Sequence, residues 1–333
     1  MTEKLLVMGT GRMAHVRAEA ARAAAPDMDV HITGRRMDRV REMASQLGMQ
    51  PVAIAELNEH RYAGTFITSA TDNHLEDLKV SLALGVPVLC EKPLAARSAD
   101  AAVLAAAANA AGVPLYVGFQ RRFDFGYRGI RERIDGGKVG PLHLIRTTSF
   151  DHRPSAPEFL ATSGGIFLDL LVHDVDIVHW LAGSVVDSVY ASATVRTSPI
   201  FTELDDFDVV TAVLNLRGGV TAVLNATRSN PHGQDVRCEV LGADESVAAG
   251  LGTRTPIHRL DWHGGPGPTA YPDNFMDRFA DAFTAETAAF VDHVRGGGAF
   301  TGCTADECLR AMIVAERCEQ SARTSRWLPV DPM

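Results

Sequence analysis

Glu91-Lys92-Pro93 follows an apolar run, Val86-Pro87-Val88-Leu89-Cys90, with the composition of a buried parallel strand. Charged groups placed directly after such a strand are costly to bury unless they are paired or put to use. A lysine at the carboxyl end of a parallel strand lies in the crevice where ligands bind in open α/β sheets. Its ammonium can hydrogen-bond a hydroxyl and favour the alkoxide that develops as that hydroxyl is oxidised. Pro93 restricts the chain just beyond it. The structural alternative is an ion pair between Lys92 and Glu91. Asp169 and His173 are four residues apart in a helical pattern, so both project from one helix face. A carboxylate one turn from an imidazole can orient it and raise its basicity. Such a histidine can take a hydroxyl proton near neutral pH while hydride leaves the carbon. The neighbours Leu170, Leu171, Val172, Val175 and Ile177 mark a buried helix, where Asp and His also serve merely to satisfy the core. His173, Asp176 and His179 have no standard ligand spacing, and no metal is expected.

A hydride needs an acceptor, and the N-terminus has the pattern of a place for one. Leu5-Leu6-Val7-Met8 runs into Gly9-Thr10-Gly11-Arg12-Met13-Ala14. The glycines let the backbone turn tightly against a pyrophosphate. The helix that opens there offers unpaired N–H groups and a partial positive charge. Strand, glycine turn and helix form the fingerprint of a dinucleotide site, with Gly9, Thr10, Gly11, Arg12 and Met13 as its contacts. NAD sites usually carry Asp or Glu at the end of the second strand, roughly 20 residues after the turn. Here the run 30–33 ends at Gly34-Arg35-Arg36. Two guanidinium groups suit a 2′-phosphate, and one can stack on adenine, so NADP is expected over NAD.

The elements that must position these residues alternate through the first third. Runs at 5–8, 30–33, 65–68, 86–90 and 115–117 read as strands, and 15–25, 38–47, 75–84 and 98–111 as helices. Ser98 reads as an N-cap, and Gly85 and Gly112 sit where helices stop. Alternating βαβ units imply a parallel, doubly wound sheet. After about residue 120 the pattern changes. A helix at 127–134 precedes longer β-branched runs at 142–150, 185–195, 207–216, 220–227 and 236–241, with Gly218-Gly219 as a hairpin turn. These predict a mainly antiparallel sheet, with the helix 164–181 inserted. Residues 264–268 read as an irregular loop, and helices 277–294 and 304–322 close the chain.

A chain of 333 residues, 46% hydrophobic and 22% charged, fits a globular protein of two domains at roughly 150 residues each. No apolar run reaches the ~18 residues of a membrane span, and the N-terminus lacks signal-peptide organisation. A net charge of −9 disfavours nucleic acid as a partner. Cys90, Cys238, Cys303, Cys308 and Cys318 form no CxxC pair, and read as reduced, buried thiols of a cytoplasmic protein.

Further motifs are Ser69-Ala70-Thr71 with His74, Gly118-Phe119-Gln120-Arg121-Arg122-Phe123-Asp124, and the stretch from Ser163 to Asp176. With the glycine turn and Glu91-Lys92-Pro93, they resemble the glucose–fructose oxidoreductase / inositol dehydrogenase (Gfo/Idh/MocA) family over nearly the whole length. Arg153-Pro154-Ser155-Ala156-Pro157 and the long motif after it look most like inositol dehydrogenases. The resemblance implies a Rossmann domain, 1–120. It also implies an α+β domain with an open-faced, mainly antiparallel sheet, 121–333, whose C-terminal helix can pack back on the first. It implies a homodimer or homotetramer built on that sheet. It implies Lys92, Asp169 and His173 as the catalytic set, and a cis Lys92–Pro93 bond. It places Ser69, Ala70, Thr71, His74 and Glu91 at the dinucleotide, and Arg122, His152 and His232 at polyol-binding positions. Pro154 stands where some inositol dehydrogenases carry Asn, and His232 where they carry Tyr. The expected activity is NAD(P)-dependent oxidation of a secondary hydroxyl of a cyclic polyol or sugar. Two alternatives share the fold: a catalytically silent dinucleotide- or sugar-sensing regulator, and a dehydrogenase of a dihydrodiol or anhydrosugar. Regulators of that kind are expected to have lost the lysine, which this chain keeps.

Overall fold

The computed structural model describes residues 3–257 and 271–331; the loop expected at 264–268 lies outside them. In chain order the first elements are β1 (Lys4–Met8), α1 (Arg12–Ala24), β2 (Asp29–Thr33), α2 (Met37–Leu47), β3 (Gln50–Pro51), β4 (Tyr62–Ile67), α3 (His74–Leu84), β5 (Val88–Glu91), α4 (Ser98–Ala111) and β6 (Leu115–Gly118). Then come α5 (Phe125–Asp135), β7 (Leu142–Phe150), α6 (Pro157–Leu160), α7 (Val172–Ala182), β8 (Val186–Thr194), α8 (Ile200–Glu203), β9 (Val209–Leu216), β10 (Thr221–Thr227), β11 (Asp235–Gly242) and β12 (Ser246–Ala249). The last are α9 (Phe275–Val294), β13 (Cys303–Thr304), α10 (Ala305–Thr324) and β14 (Leu328–Pro329). The chain folds as two units: Met1–Phe123 with Asp281–Leu309, and Asp124–Ala280 with Arg310–Met333.

The first unit is built on a sheet of order β13-β6-β5-β4-β1-β2-β3. All its pairings are parallel except β13 with β6. Helices cover such a sheet on both faces, which is why its strands are continuously apolar. Leu5, Leu6, Val7 and Met8 of β1 are fully buried. On α2, Val40, Met43, Ala44 and Leu47 recur at helical spacing and face the core. Gly85 and Gly112 cap α3 and α4 in the left-handed conformation. The cap expected at Ser98 falls instead on Arg97, which is extended, with Ser98 as the first helical residue. Helix α1 starts at Arg12, three residues before the expected start, because Gly11 is its N-cap.

The second unit carries a sheet of order β12-β11-β7-β10-β9-β8-β14, antiparallel except for the β7–β10 pair. On β9, Val210, Ala212, Leu214 and Leu216 are buried, while Val209, Thr211, Val213 and Asn215 lie on the open face. The short strands β12 and β14 carry too few residues for alternation to reveal them. The helix expected over 164–181 is not one regular helix: a π-helical turn, Phe167–Leu171, precedes α7. Gly165 at its start has φ +82°, and a Cβ there would lie 2.9 Å from Asp206 Oδ1. That oxygen accepts the N–H of Ile166 at 3.0 Å. All five cysteines are buried and remain thiols. No helix among the described residues is long and apolar enough to cross a membrane.

Candidate active site

The glycine turn is clamped between two strand ends. The N–H of Gly9 donates to Thr33 O, and the N–H and hydroxyl of Thr68 both donate to Met8 O, each at 2.9 Å. Gly9 has φ +134°, and a Cβ on it would lie 2.7 Å from Thr68 Oγ1, so only glycine fits. Gly11 caps α1 without a side-chain hydrogen bond, its Cβ position is open, and the first turn holds no acidic residue. The first amides of α1 have no carbonyl partner within the helix and carry positive partial charge, which fits the pyrophosphate of a dinucleotide. Thr10 lies beside Gly34, and Arg12 and Met13 begin the helix.

The arginines at the end of β2 both meet carboxylates. Arg36 pairs with Asp38 at the exposed surface, 2.7 Å. Arg35 Nη1 lies 2.9 Å from Oδ1 of Asp77 on α3, a residue the sequence reading passed over. Ser69 Oγ donates to the other oxygen of Asp77 at 2.5 Å. Ala70 is extended and caps a short 3₁₀ turn that begins at Thr71. The buried His74 ring has its nitrogens 3.2 Å from the carbonyls of Ser69 and Leu94. It thus ties the Ser69 loop to the turn after Pro93.

Lys92 is half-buried and leaves β5 on the same sheet edge as the glycine turn. With only β4 between β1 and β5, the separation is about 10 Å at the usual strand spacing. The Lys92–Pro93 bond is cis. Glu91 accepts from Arg17 Nε at 2.7 Å. Arg17 also bonds Glu286 at 2.5 Å and Thr287 at 2.9 Å, and is 1% exposed. Burial opposes its charge, and the two carboxylates outweigh burial and hold its pKa above the ordinary guanidinium value. The arrangement anchors the residue before Lys92 to α1 and α9. Arg122 is also in this unit, buried, with Nη1 3.2 Å from Glu307 Oε1.

In the second unit the π turn carries Asp169, and His173 is buried one residue into α7. A π turn holds more residues than an α turn, so Asp169 and His173 are not related by a regular α-helical i, i+4 step. Asp169 Oδ2 accepts from Arg228 Nη1 at 2.6 Å, and Asp151 Oδ2 lies 3.7 Å from the same nitrogen. Burial works against the charge of Arg228, but Asp169 and Asp151 raise its pKa. Gln234 donates to Asp151 at 2.9 Å. His152, next in chain, lies 2.7 Å from Asp273 Oδ1 through Nδ1. The His232 ring is 6.4 Å from that of Tyr271. Sequence reasoning missed Arg228 and Asp151, but a signal was present. Ala222, Leu224 and Ala226 face inward on β10, and Arg228 continues their parity. No group of three or more ligand-type side chains suited to a metal occurs among the described residues.

Comparison with known proteins agrees with this arrangement. Residues 4–119 match the model of an oxidoreductase family with an NAD-binding Rossmann fold. Residues 127–248 match that of the GFO/IDH/MocA C-terminal domain. A myo-inositol dehydrogenase of Streptomyces leeuwenhoekii is 34% identical, covering 98% of this chain and 99% of the relative. A myo-inositol dehydrogenase structure from Corynebacterium glutamicum superposes with a TM-score of 0.88 at 27% identity over 100% of both chains. The scyllo-inositol dehydrogenase of Lactobacillus casei, with bound NAD(H) and scyllo-inositol, gives 0.84 at 26% identity over 99% of each. Two matched domains, near-complete coverage by a relative and a built dinucleotide cradle lead to one conclusion: the chain belongs to the GFO/IDH/MocA family of oxidoreductases, with an NAD-binding Rossmann domain.

Proposed function

We propose that the protein oxidises a secondary ring hydroxyl of a cyclic polyol or sugar, inositol-like in its array of hydroxyls, and uses NADP in preference to NAD. The observation that carries this reading is the position of Lys92, about 10 Å along the same sheet edge from the glycine turn. The bound dinucleotide supplies a hydride acceptor. In this reading Lys92 donates a hydrogen bond to the reacting oxygen and stabilises negative charge as it develops. His173 takes the hydroxyl proton, and Asp169, itself held by Arg228, orients His173. Arg122, His152 and His232 recognise further hydroxyls. Glu91 holds the turn through Arg17 as well as edging the dinucleotide. Arg35 and Arg36, with no carboxylate at the C-terminal end of β2, favour the 2′-phosphate of NADP. Relatives named as inositol dehydrogenases, one solved with scyllo-inositol, support the substrate class. The same reading makes the enzyme a homodimer or homotetramer through the open face of the second sheet. It also places the enzyme in the cytoplasm, a compartment that suits five reduced thiols.

The test is nicotinamide absorbance with each cofactor over a panel of inositol stereoisomers, sugars, an anhydrosugar and a dihydrodiol. Reduction of NADP on a cyclic polyol or sugar supports the proposal. Turnover confined to the anhydrosugar or dihydrodiol overturns the substrate class. Cofactor and polyol binding without turnover anywhere points to a sensing role.

A further inference from the structure

The contact between Arg35 and Asp77 bears on cofactor choice. Arg35 follows Gly34 at the end of β2, and Ser69 follows Thr68 at the end of β4. Both strand ends are hydrogen-bonded to the residues of the glycine turn, Thr33 to Gly9 and Thr68 to Met8. Asp77 on α3 receives Ser69 Oγ on one oxygen and Arg35 on the other. The ion pair therefore spans the turn, from one flanking strand end to the other. In the dinucleotide fingerprint, the end of the second strand is where the adenosine ribose and its 2′ substituent are read. Asp77 is 3% exposed, so its carboxylate is fixed in place, while the Arg35 side chain is 42% exposed. One member of the pair is rigid and the other is reachable by a ligand.

We propose that Asp77 is a specificity-determining residue of the dinucleotide site, holding Arg35 across the glycine turn and competing with a 2′-phosphate for its guanidinium. A 2′-phosphate can take that guanidinium only by sharing or loosening its charge-assisted contact with Asp77, a cost that exists only while Arg35 is present. The 2′-hydroxyl of NAD carries no charge and makes no such demand on Arg35. Asp77 thus lowers NADP affinity relative to NAD, whichever cofactor the wild type prefers. The inference rests on the reading of Arg35 as the 2′-phosphate contact. Asp77 itself acts on the phosphate through Arg35.

Titration calorimetry with NADP and with NAD tests it on wild type, Asp77→Asn, Arg35→Ala and the double variant. Asn keeps the shape and still accepts from Ser69 while losing the charge. Asp77→Asn should tighten NADP about tenfold and leave NAD within about threefold, a factor of ten being one 1.4 kcal/mol step. Arg35→Ala should weaken NADP about tenfold. In the double variant the gain from Asp77→Asn should shrink to about threefold or less. Should Asp77→Asn fail to fold, Asp77→Ser removes the same charge and carries the same expectation. An unmoved NADP/NAD ratio, or a full tenfold gain without Arg35, overturns the proposal. The preference of the wild type separates this inference from the NADP reading. Wild-type preference for NAD, with a ratio that Asp77→Asn moves through Arg35, overturns only the NADP reading. Wild-type preference for NADP with an unmoved ratio overturns only the inference.

Discussion

Arg228→Met removes a buried cation while keeping an unbranched side chain in its place. Arg228 is 1% exposed and donates to Asp169 at 2.6 Å, with Asp151 3.7 Å away. Removing one partner of a buried pair costs about 3–5 kcal/mol, because the remaining charge stays desolvated without compensation. For a unit of roughly 150–250 residues each kcal/mol lowers the melting temperature by about 2–4 °C, so a fall of about 6–20 °C is expected. The sign with pH follows from the carboxylates that lose this cation, Asp169 and Asp151. Their folded pKa would rise above the unfolded value of about 3.9, so the penalty is full near neutral pH and shrinks as pH falls toward about 4. Arg228 itself, its pKa raised despite burial by Asp169 and Asp151, contributes at every pH below its ordinary value. Turnover should fall with it, since Asp169 loses its anchor. Thermal melts at about pH 7.5 and about pH 4.5 read the effect. Asp169→Asn in the Arg228→Met background should restore part of the loss, giving a coupling of at least about 1 kcal/mol. A neutral-pH melt within about 2 °C of wild type, or strict additivity, would refute the reasoning.

Other expectations follow from particular residues. Burial, with Lys4 and His60 nearby, pushes the His31 imidazole down to about 4. It is neutral in the fold but protonated in the unfolded chain below about pH 6.5, so its stability is present above that and is lost as pH falls toward about 4. His31→Gln should flatten the dependence of denaturation midpoints on pH across this window; an unchanged slope assigns it to other groups. The open face of β9, with Val209, Thr211 and Val213, should be covered by a second copy. Light scattering should show a dimer or tetramer at micromolar concentration, and Val213→Arg should lower that mass. A monomeric wild type refutes the assembly.

Both sheets were legible where the pattern reports the environment directly. Continuous Leu-Leu-Val-Met marks a strand covered on both faces, and the alternation of β9 and β10 marks one with an open face. The glycine turn was legible because a steric demand at Gly9 leaves one residue type. The ion pairs were not, because each joins residues far apart in sequence: Arg17 with Glu286, Arg35 with Asp77, Arg228 with Asp169. Their trace was a charged residue on a buried helix face. Arg17 shares the buried stripe of Ala14, Ala18 and Ala21, and Asp77 that of His74, Leu78 and Ser81. The π turn at Asp169 has no local composition signal, so an α-helical spacing was assumed there. The Glu91 carboxylate has a partner that its neighbours in sequence do not reveal, Arg17 of α1.

Lys92→Met removes the ammonium at little cost in volume from a half-buried sheet edge. Steady-state turnover on the best polyol or sugar should be measured beside cofactor binding and melting temperature, with His173→Ala as companion. A fall in kcat of about 10²–10³-fold is expected for Lys92→Met. A fall of about 10²–10⁴-fold is expected for His173→Ala, with folding and cofactor affinity retained in both. Near-normal turnover in Lys92→Met with the fold intact would refute the role of Lys92 and leave the proposed oxidation without the group that stabilises its developing charge.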